Sequence, residues 1–378
     1  MGTDAVVSAV RDSAAARVPL RIVGRGTWLD AGRPVRAEKM LSLRDDAGVV
    51  GYVPGDLTLT VRTGTTLSEI EKVTREHDQW LPLDPYGSPD GTIGATLATA
   101  SAGPLASSFG LPRDLLLGLE FVNGRGEVVR GGGKVVKNVA GFDLSRLLTG
   151  SWGTLGVITE VTLRLYAVPQ VDRTFAIALR GSEKDIGSLI QAIVGSPLSP
   201  YALQLLGRSA GRALELGEEA ACLIRFGGNE AVVRAQMNAL SQISLLEEVE
   251  SSIWTELRHL ESSAHTTIRV STLPQRVVAG SAQIVRDDVP GIYTCIDPRR
   301  GVIRIAVGPG SDGSGETPAI GFDRDPRQSN GSTEVIFEKL PDEVWQFGAK
   351  SEVSDELSRR IKKAYDPHNI LNPGILGD

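Results

Sequence analysis

The chain has 378 residues, of which 41% are hydrophobic and 23% charged, a composition typical of a folded globular protein rather than a disordered or fibrous one. This length exceeds the size at which one hydrophobic core usually keeps growing, so we expect two packed units. Forty basic residues against 46 acidic ones give a net charge of -6, which provides no electrostatic footprint for nucleic acid.

The cysteine count and the amino terminus restrict the class of protein further. Cys222 and Cys295 stand far apart in the sequence; they cannot form a disulfide framework or hold an iron-sulfur cluster, so we expect buried thiols. The amino terminus has no basic stretch followed by an apolar run, and no segment approaches roughly 18 continuous apolar residues. We therefore expect a cytoplasmic protein with no membrane span of its own.

Helical and strand patterns alternate through the first part of the chain. Apolar residues at helical spacing predict a first helix, and a short strand then enters a glycine turn. Thr66 is expected to cap a second helix, and Asn123-Gly124 centres a predicted hairpin. The predicted helices cover residues 4–17 and 67–77, and the predicted strands and hairpin cover residues 21–23, 49–53, 57–62, 115–129 and 155–165.

Residues 84–113 are dense in glycine, alanine, serine, threonine and proline. Their side chains are too small to form a core, and such segments usually allow the backbone to approach a neighbour closely. Pro169 marks the expected end of the first unit. We therefore place a first domain at residues 1–168.

The second part of the chain predicts an α+β unit with an antiparallel sheet, because short strands alternate with helices. A final helix is predicted at about residues 353–364, where it stops before Asp366-Pro367, and Asn372-Pro373-Gly374 predicts a tight turn. We place a second domain at residues 169–335 and a carboxyl-terminal segment at 336–378. The predicted elements of the second domain are strands at 175–179, 201–206 and 221–226, helices at 182–194 and 230–243, and strands near 268, 293 and 303.

Three glycine-rich segments carry the chemical signal, at residues 24–27, 89–96 and 150–158. Backbone N–H groups that no side chain obstructs can surround a pyrophosphate. Two better-known phosphate loops do not fit: position 29 is Leu where a Rossmann loop has its third glycine, and Val128 and Val135 flank Gly133-Lys134 where a P-loop needs Gly and Ser or Thr. Neither a nicotinamide cofactor nor ATP is favoured.

Residues 137–158, which read KNVAGFDLSRLLTGSWGTLGVI, closely resemble the FAD-binding subunits of bacterial glycolate oxidases. Those subunits belong to the vanillyl-alcohol-oxidase, or PCMH-type, flavoprotein family. The family has three glycine segments similar to these in the same order, and residues 365–374 are similar to its closing motif. The resemblance implies an α+β fold: a PCMH-type FAD-binding domain of two α+β subdomains, an α+β cap domain with an antiparallel sheet, and a carboxyl-terminal segment that returns to the FAD domain.

The resemblance also implies which residues contact FAD. Residues 24–27 would hold the pyrophosphate, residues 91–96 would line the pyrophosphate and ribityl region, and residues 153–158 would flank the cofactor. These segments contain no His or Cys to tether a flavin, so we predict noncovalent FAD. The predicted contact residues are Gly24, Arg25, Gly26, Thr27, Gly91, Thr92, Ile93, Gly94, Thr96, Gly153, Thr154, Gly156, Val157 and Ile158.

Catalytic residues are harder to assign. Oxidation of a 2-hydroxy acid by a flavin needs a base for the hydroxyl proton and a cation for the carboxylate. Lys137 is our candidate catalytic residue, whereas a structural ion pair or cap is favoured for Asp143 and Arg146. The four histidines form no i, i+4 pair, so no metal site is predicted. They are His77, His259, His265 and His368.

The resemblance implies an FAD-binding subunit of a glycolate-oxidase-type complex. It would oxidise glycolate, or another small 2-hydroxy acid, and pass electrons to a catalytic flavin subunit and an iron-sulfur subunit. Two alternatives stay open: a stand-alone dehydrogenase of D-lactate or glycolate, and a noncatalytic scaffold that FAD stabilises. Replacement of Gly26 or Gly156 by Val is expected to prevent FAD retention.

Overall fold

The computed structural model of the protein describes residues 2–133, 143–308, 333–347 and 355–377. Contacts within the chain divide it into two compact units. The first consists of Met1–Gly103, Phe109–Val168 and Asp342–Asp378, and the second of Pro104–Ser108 and Pro169–Pro341. The carboxyl-terminal segment thus returns to the unit that the amino terminus begins.

The first part of the chain alternates short strands with helices. Its elements are α1 (Thr3–Ala16), β1 (Leu20–Val23), β2 (Lys39–Ser42), β3 (Val49–Val53), β4 (Thr58–Arg62), α2 (Leu67–Arg75), β5 (Gln79–Trp80), α3 (Ile93–Thr99), α4 (Ala106–Phe109), α5 (Pro112–Leu115), β6 (Leu116–Val122), β7 (Val128–Gly132), α6 (Leu144–Leu148), β8 (Val157–Arg164) and β9 (Tyr166–Ala167).

Longer strands and helices make up the rest of the chain. They are β10 (Val171–Leu179), α7 (Glu183–Val194), β11 (Ala202–Leu206), α8 (Arg208–Ala213), β12 (Ala220–Gly228), α9 (Glu230–Ser241), β13 (Glu247–Val249), α10 (Ile253–His259), β14 (Thr266–Ser271), α11 (Pro274–Arg286), β15 (Ile292–Asp297), β16 (Val302–Val307), β17 (Glu334–Lys339), α12 (Asp342–Phe347) and α13 (Glu356–Tyr365). Within the described ranges, no helix combines the length and apolar character that crossing a bilayer requires.

The first unit is built on a small parallel pair and a larger antiparallel sheet. β1 and β2 pair in parallel, and five strands form a sheet in the order β3-β4-β8-β6-β7. Helices α2 and α3 bury Ile70, Ile93 and Leu97 against sheet residues such as Val161 and Phe121. This packing fixes the amino-terminal end of α3 beside the start of β8, where two of the glycine-rich segments lie.

The second unit is an antiparallel sheet covered by helices. Its described strands follow the order β13-β10-β12-β11-β15-β16-β14-β17. Helices α7, α9 and α11 contribute residues such as Ile190, Val233 and Val277 to one core, and α8 and α10 contribute to a smaller cluster around Trp254. An antiparallel α+β unit was expected here and is confirmed.

Several elements differ from the sequence-based expectation. Strand β2 and helices α3, α8 and α10 were assigned to no element, and the last helix begins at Glu356 rather than near residue 353. Helix α3 has the sequence IGATLAT, whose glycine and threonines have low helix propensity. It forms because the Thr92 side chain caps its first turn and because Ile93 and Leu97 are fully buried; both contacts outweigh the local propensity.

Candidate cofactor site

A cavity in the first unit is lined by parts of all three glycine-rich segments. Its volume is about 130 Å³. The end of β1, the first turns of α3, the start of β8 and the carboxyl tail contribute its walls. The fold therefore brings together segments that lie far apart in the sequence.

The first glycine loop, residues 24–27, follows β1 directly. The Leu43 N–H donates to the Val23 carbonyl at 2.8 Å, which fixes the end of the strand. Gly26 has a φ of 78°, a left-handed conformation that side chains disfavour. A Cβ atom at Gly24 would overlap the hydroxyl of Thr92. Both glycines are therefore required by this geometry.

Backbone donors of the first loop are free to bind a ligand. Arg44 donates to the Arg25 carbonyl at 3.1 Å, and Arg21 donates to the Leu29 carbonyl, so arginine side chains hold the backbone around the loop. The N–H groups of residues 24–27 donate to no acceptor in the part of the chain that the structure describes. Successive free N–H groups in a concave loop favour an anion such as a phosphate.

The second glycine segment, residues 91–96, uses its backbone donors differently. The Ile93 N–H donates to the Thr65 carbonyl at 3.0 Å, and the Gly94 N–H donates to the Thr63 carbonyl at 3.0 Å. A Cβ atom at Gly94 would lie 2.7 Å from the Thr63 Cβ. Glycine at position 94 permits close packing of two backbones, and the N–H groups of Ile93 and Gly94 are already bonded within the protein.

The third segment enters the cavity at a left-handed turn. Gly153 has a φ of 72°, and Trp152 before it has a φ of 52°. A Cβ atom at Gly156 would lie 2.5 Å from the Phe121 ring, which belongs to the core. A bulky side chain at Gly156 would thus disturb the core itself, which is a different physical reason from the expected intrusion into the cofactor space.

The predicted contact residues divide into two groups. Ile93 and Val157 are core residues with exposures of 0% and 1%, and the hydroxyls of Thr96 and Thr154 donate to backbone carbonyls. The residues that line the cavity are Gly24, Arg25, Gly26, Thr27, Thr92, Gly94, Gly153, Gly156 and Ile158, whereas Gly91, Ile93, Thr96, Thr154 and Val157 do not line it.

Some cavity residues were not singled out in the sequence. Thr63 is buried and donates its hydroxyl to the Ile158 carbonyl at 2.6 Å, so it joins the second segment to the third. Trp28 and Trp152 lie with ring centroids 5.9 Å apart. Asn372 and Ile375 line the cavity from the carboxyl tail. Thr63 could have been recognised in the sequence because Thr63-Gly64 forms a turn just before the cap of α2. The turn in the carboxyl tail contains no pattern that predicts a cavity.

Charge near the first loop comes from an exposed arginine. Arg25 lines the cavity, and Glu69 lies close enough to feel its charge. The hydrogen bond from the Thr66 backbone N–H is the main cause that lowers the pKa of Glu69, and Arg25 acts in the same direction. Glu69 is committed to the capping box of α2 with Thr66, so the Arg25 guanidinium can still face a ligand.

The catalytic candidate Lys137 lies outside the residues that the structure describes. Asp143 caps α6 by accepting from the Arg146 N–H at 3.1 Å, and the two exposed side chains form an ion pair at 3.0 Å. These contacts are the cap and the ion pair that the sequence favours for the two residues.

The described residues contain neither an exposed cysteine thiol nor a group of side chains suited to a metal ion. Cys222 and Cys295 are buried free thiols, as expected, and burial raises the pKa of Cys222 to about 12. Across the described ranges, no group of three His, Cys, Asp or Glu side chains could hold a metal ion.

Comparison with known proteins identifies related sequences. Residues 2–132 match the family described as FAD binding domain, and residues 343–376 match the family described as FAD linked oxidases, C-terminal domain. Glycolate oxidase subunit GlcE of Escherichia coli is 35% identical over 258 residues, 68% of this chain and 68% of that protein. Glycolate oxidase subunit GlcD of Bacillus subtilis is 26% identical, covering 95% and 83%, and D-lactate dehydrogenase of Archaeoglobus fulgidus is 28% identical, covering 94% and 85%.

Solved structures show the same fold. The crystal structure of p-cresol methylhydroxylase superimposes with a TM-score of 0.70 at 15% identity and covers 99% of this chain and 87% of that one. Alkyldihydroxyacetonephosphate synthase superimposes with a TM-score of 0.66 at 17% identity and covers 98% and 74%. The expected PCMH-type fold is therefore confirmed.

Proposed function

The chain belongs to the family of FAD-linked oxidases, and from this premise we propose that the cavity of its first unit holds FAD for the oxidation of a small 2-hydroxy acid. The observation that carries the placement is the first glycine loop, whose residues line the cavity and whose N–H groups donate to no acceptor among the described residues. A pyrophosphate needs several donors at once, and this loop offers consecutive ones. Arg25 adds a positive charge beside them.

The cavity also favours noncovalent binding. None of the described residues that line it is a histidine or a cysteine, the side chains that could tether a flavin. The tilted pair of Trp28 and Trp152 offers flat apolar surface for a ring of the cofactor. Acid precipitation should therefore release the flavin from the protein.

Relatives suggest the substrate class. Glycolate and D-lactate, in the names of the related proteins, are both 2-hydroxy acids with a carboxylate beside the reacting carbon. FAD supplies the oxidant that accepts two electrons from such a substrate. The protein must bind the carboxylate and remove the hydroxyl proton. We propose Lys137 as one cationic contributor and residues 169–335 as a cap domain.

We further propose that the chain works inside a complex. The Escherichia coli and Bacillus subtilis relatives are both named subunits of glycolate oxidase. In this proposal electrons leave through a second, catalytic flavin subunit and an iron-sulfur subunit, and the protein stays in the cytoplasm, reaching a membrane only through its partners.

A stand-alone dehydrogenase is the second candidate. The Archaeoglobus fulgidus D-lactate dehydrogenase aligns with 94% of this chain at 28% identity, about as much of the chain as GlcD does at 26%. In that case the isolated chain would oxidise D-lactate or glycolate and pass electrons to a quinone or oxygen. The third candidate is a noncatalytic subunit in which FAD bound at the same site stabilises the fold.

One experiment separates the complex from the stand-alone enzyme. The purified chain is loaded with FAD, its absorbance spectrum is recorded, and glycolate and then D-lactate are added without oxygen, with L-lactate as the control. A flavin that stays oxidised until partner subunits are added supports the complex, and bleaching by D-lactate or glycolate alone supports the stand-alone enzyme. Failure to take up any FAD would contradict the proposal as a whole.

A further inference from the structure

The carboxyl tail is hydrogen-bonded to strand β1, which leads into the cofactor cavity. Leu20 at the start of β1 donates its N–H to the Ile370 carbonyl at 2.7 Å, and the Asn372 N–H donates to the Leu20 carbonyl at 3.0 Å. Strand β1 therefore lies between β2 and the tail, and the position of the first glycine loop depends on both. The tail is part of the cavity wall as well, because Asn372 and Ile375 line it.

The Asn372 side chain joins two glycine-rich segments directly. Its Oδ1 accepts from the Ile22 N–H at 2.7 Å, and its Nδ2 donates to the Trp152 carbonyl at 2.7 Å. Ile22 lies two residues before the first loop, and Trp152 lies in the third segment. One amide group thus sets the distance between two walls of the cavity, and only 5% of Asn372 is exposed.

Trp152 needs such support because its backbone is strained. A φ of 52° is a left-handed conformation, which costs a residue other than glycine on the order of 1–3 kcal/mol. The Trp152 N–H donates to the Ala98 carbonyl at 2.8 Å, and Asn372 holds its carbonyl. These two bonds keep the indole ring beside Trp28 on the cavity wall.

A buried ion pair fixes the tail in turn. Lys362 donates to Asp366 at 2.9 Å, to the Thr154 carbonyl at 3.0 Å and to the Leu371 carbonyl at 3.2 Å. The Asp366 carboxylate also accepts from the N–H groups of Ile370 and Leu371. The tail turn and the third segment are therefore held in one hydrogen-bonded network just before Asn372.

We propose that Asn372 is a positioning residue for FAD, which holds the first loop and Trp152 at the separation that the cofactor requires, with Lys362 and Asp366 fixing Asn372. This inference rests on the proposed placement of FAD in the cavity. It assigns to the tail a role in cofactor affinity beyond packing on the first unit.

The test uses two substitutions that tolerate left-handed backbone. Asn372→Gly removes both side-chain bonds, and glycine accommodates a φ of 44° without strain. Asn369→Gly is the matched control, because Asn369 is an exposed left-handed asparagine of the same tail, with a φ of 49°. FAD dissociation constants and melting temperatures with and without FAD are measured for both variants and the unaltered protein.

We expect Asn372→Gly to raise the FAD dissociation constant about tenfold to thirtyfold, as expected for the loss of one to two hydrogen bonds, and Asn369→Gly to leave it within twofold. The rise in melting temperature on FAD addition should shrink only for Asn372→Gly. Equal FAD affinity in all three proteins, or an equal fall of the melting temperature with and without FAD, would overturn the inference.

A second variant covers the case in which Asn372→Gly does not fold. Asn372→Asp keeps the acceptor for Ile22 and places an oxygen against the Trp152 carbonyl. We expect weaker FAD binding at pH 8 that improves at pH 5 relative to the unaltered protein, because a protonated carboxyl can donate to Trp152. A pH-independent ratio would contradict the inference, and absence of FAD binding by the unaltered protein would contradict the proposed function instead.

Discussion

The first and second glycine-rich segments border the same cavity, yet their backbones have opposite roles. The N–H groups of residues 24–27 have no acceptor among the described residues, whereas Ile93 and Gly94 donate theirs to the turn at Thr63 and Thr65. Glycine in the first loop permits a left-handed turn and free donors; glycine in the second permits two backbones to touch. Similar composition therefore supports ligand binding in one place and packing in the other.

The largest expected effect is a loss of stability that tests the packing role of the second segment. Gly94→Val would force a side chain against the Thr63 Cβ and the Thr63 carbonyl, 2.7 and 2.9 Å from the new Cβ. We expect the free energy of unfolding without FAD to fall by about 3 kcal/mol, at the upper end of overpacking costs. Urea unfolding measures it, and Gly55→Val is the control because nothing lies within 4 Å of that Cβ. A loss under about 1 kcal/mol would contradict the packing role.

Gly26→Val tests the ligand-binding side. The position has a φ of 78°, and a branched side chain there is strained by about 2 kcal/mol. Without FAD the loop can relax, so the strain should appear in binding: we expect FAD affinity to fall about thirtyfold with little change in unfolding. Titration of the apoprotein with FAD measures this. Gly26→Asn should be milder, because asparagine tolerates left-handed backbone; unchanged affinity in both variants would refute the prediction.

Thr63→Val affects the connection between the second and third segments. It removes the hydroxyl that donates to the Ile158 carbonyl at 2.6 Å and leaves a buried acceptor unpaired, which costs about 1–2 kcal/mol. We expect a loss of that size in the free energy of unfolding, measured in urea. Thr63→Ser keeps the hydroxyl and is the matched control. Equal stability of the two variants would show that this bond does not join the segments.

The smallest effect concerns charge at the first loop. Arg25→Gln should weaken FAD binding about threefold to fivefold at low salt, in the range of an exposed ion pair. The difference should shrink as salt screens the charge. Arg113→Gln is the control, since Arg113 is exposed and does not line the cavity. A salt-independent loss, or the same loss at Arg113, would argue against a contact between Arg25 and the pyrophosphate.

The sequence predicted those features that depend on local chemistry. Thr66 does cap α2, through a capping box with Glu69, and the hairpin of β6 and β7 turns at Asn123. Helix α3 was not predicted, because buried contacts of Ile93 and Leu97 override its poor propensity. The clamp at Asn372 could not be predicted either, since its partner Trp152 lies 220 positions away in the sequence and only the folded chain brings them together.

Amide hydrogen exchange of the apoprotein, with and without saturating FAD, tests the central claim most directly. The N–H groups of residues 25–27 should exchange freely without FAD and slow markedly with it, because the pyrophosphate becomes their acceptor. The Gly94 N–H, already bonded to the Thr63 carbonyl, should be protected in both states. Slow exchange at Gly94 with no change at residues 25–27 on FAD binding would contradict the placement of the cofactor at the first glycine loop.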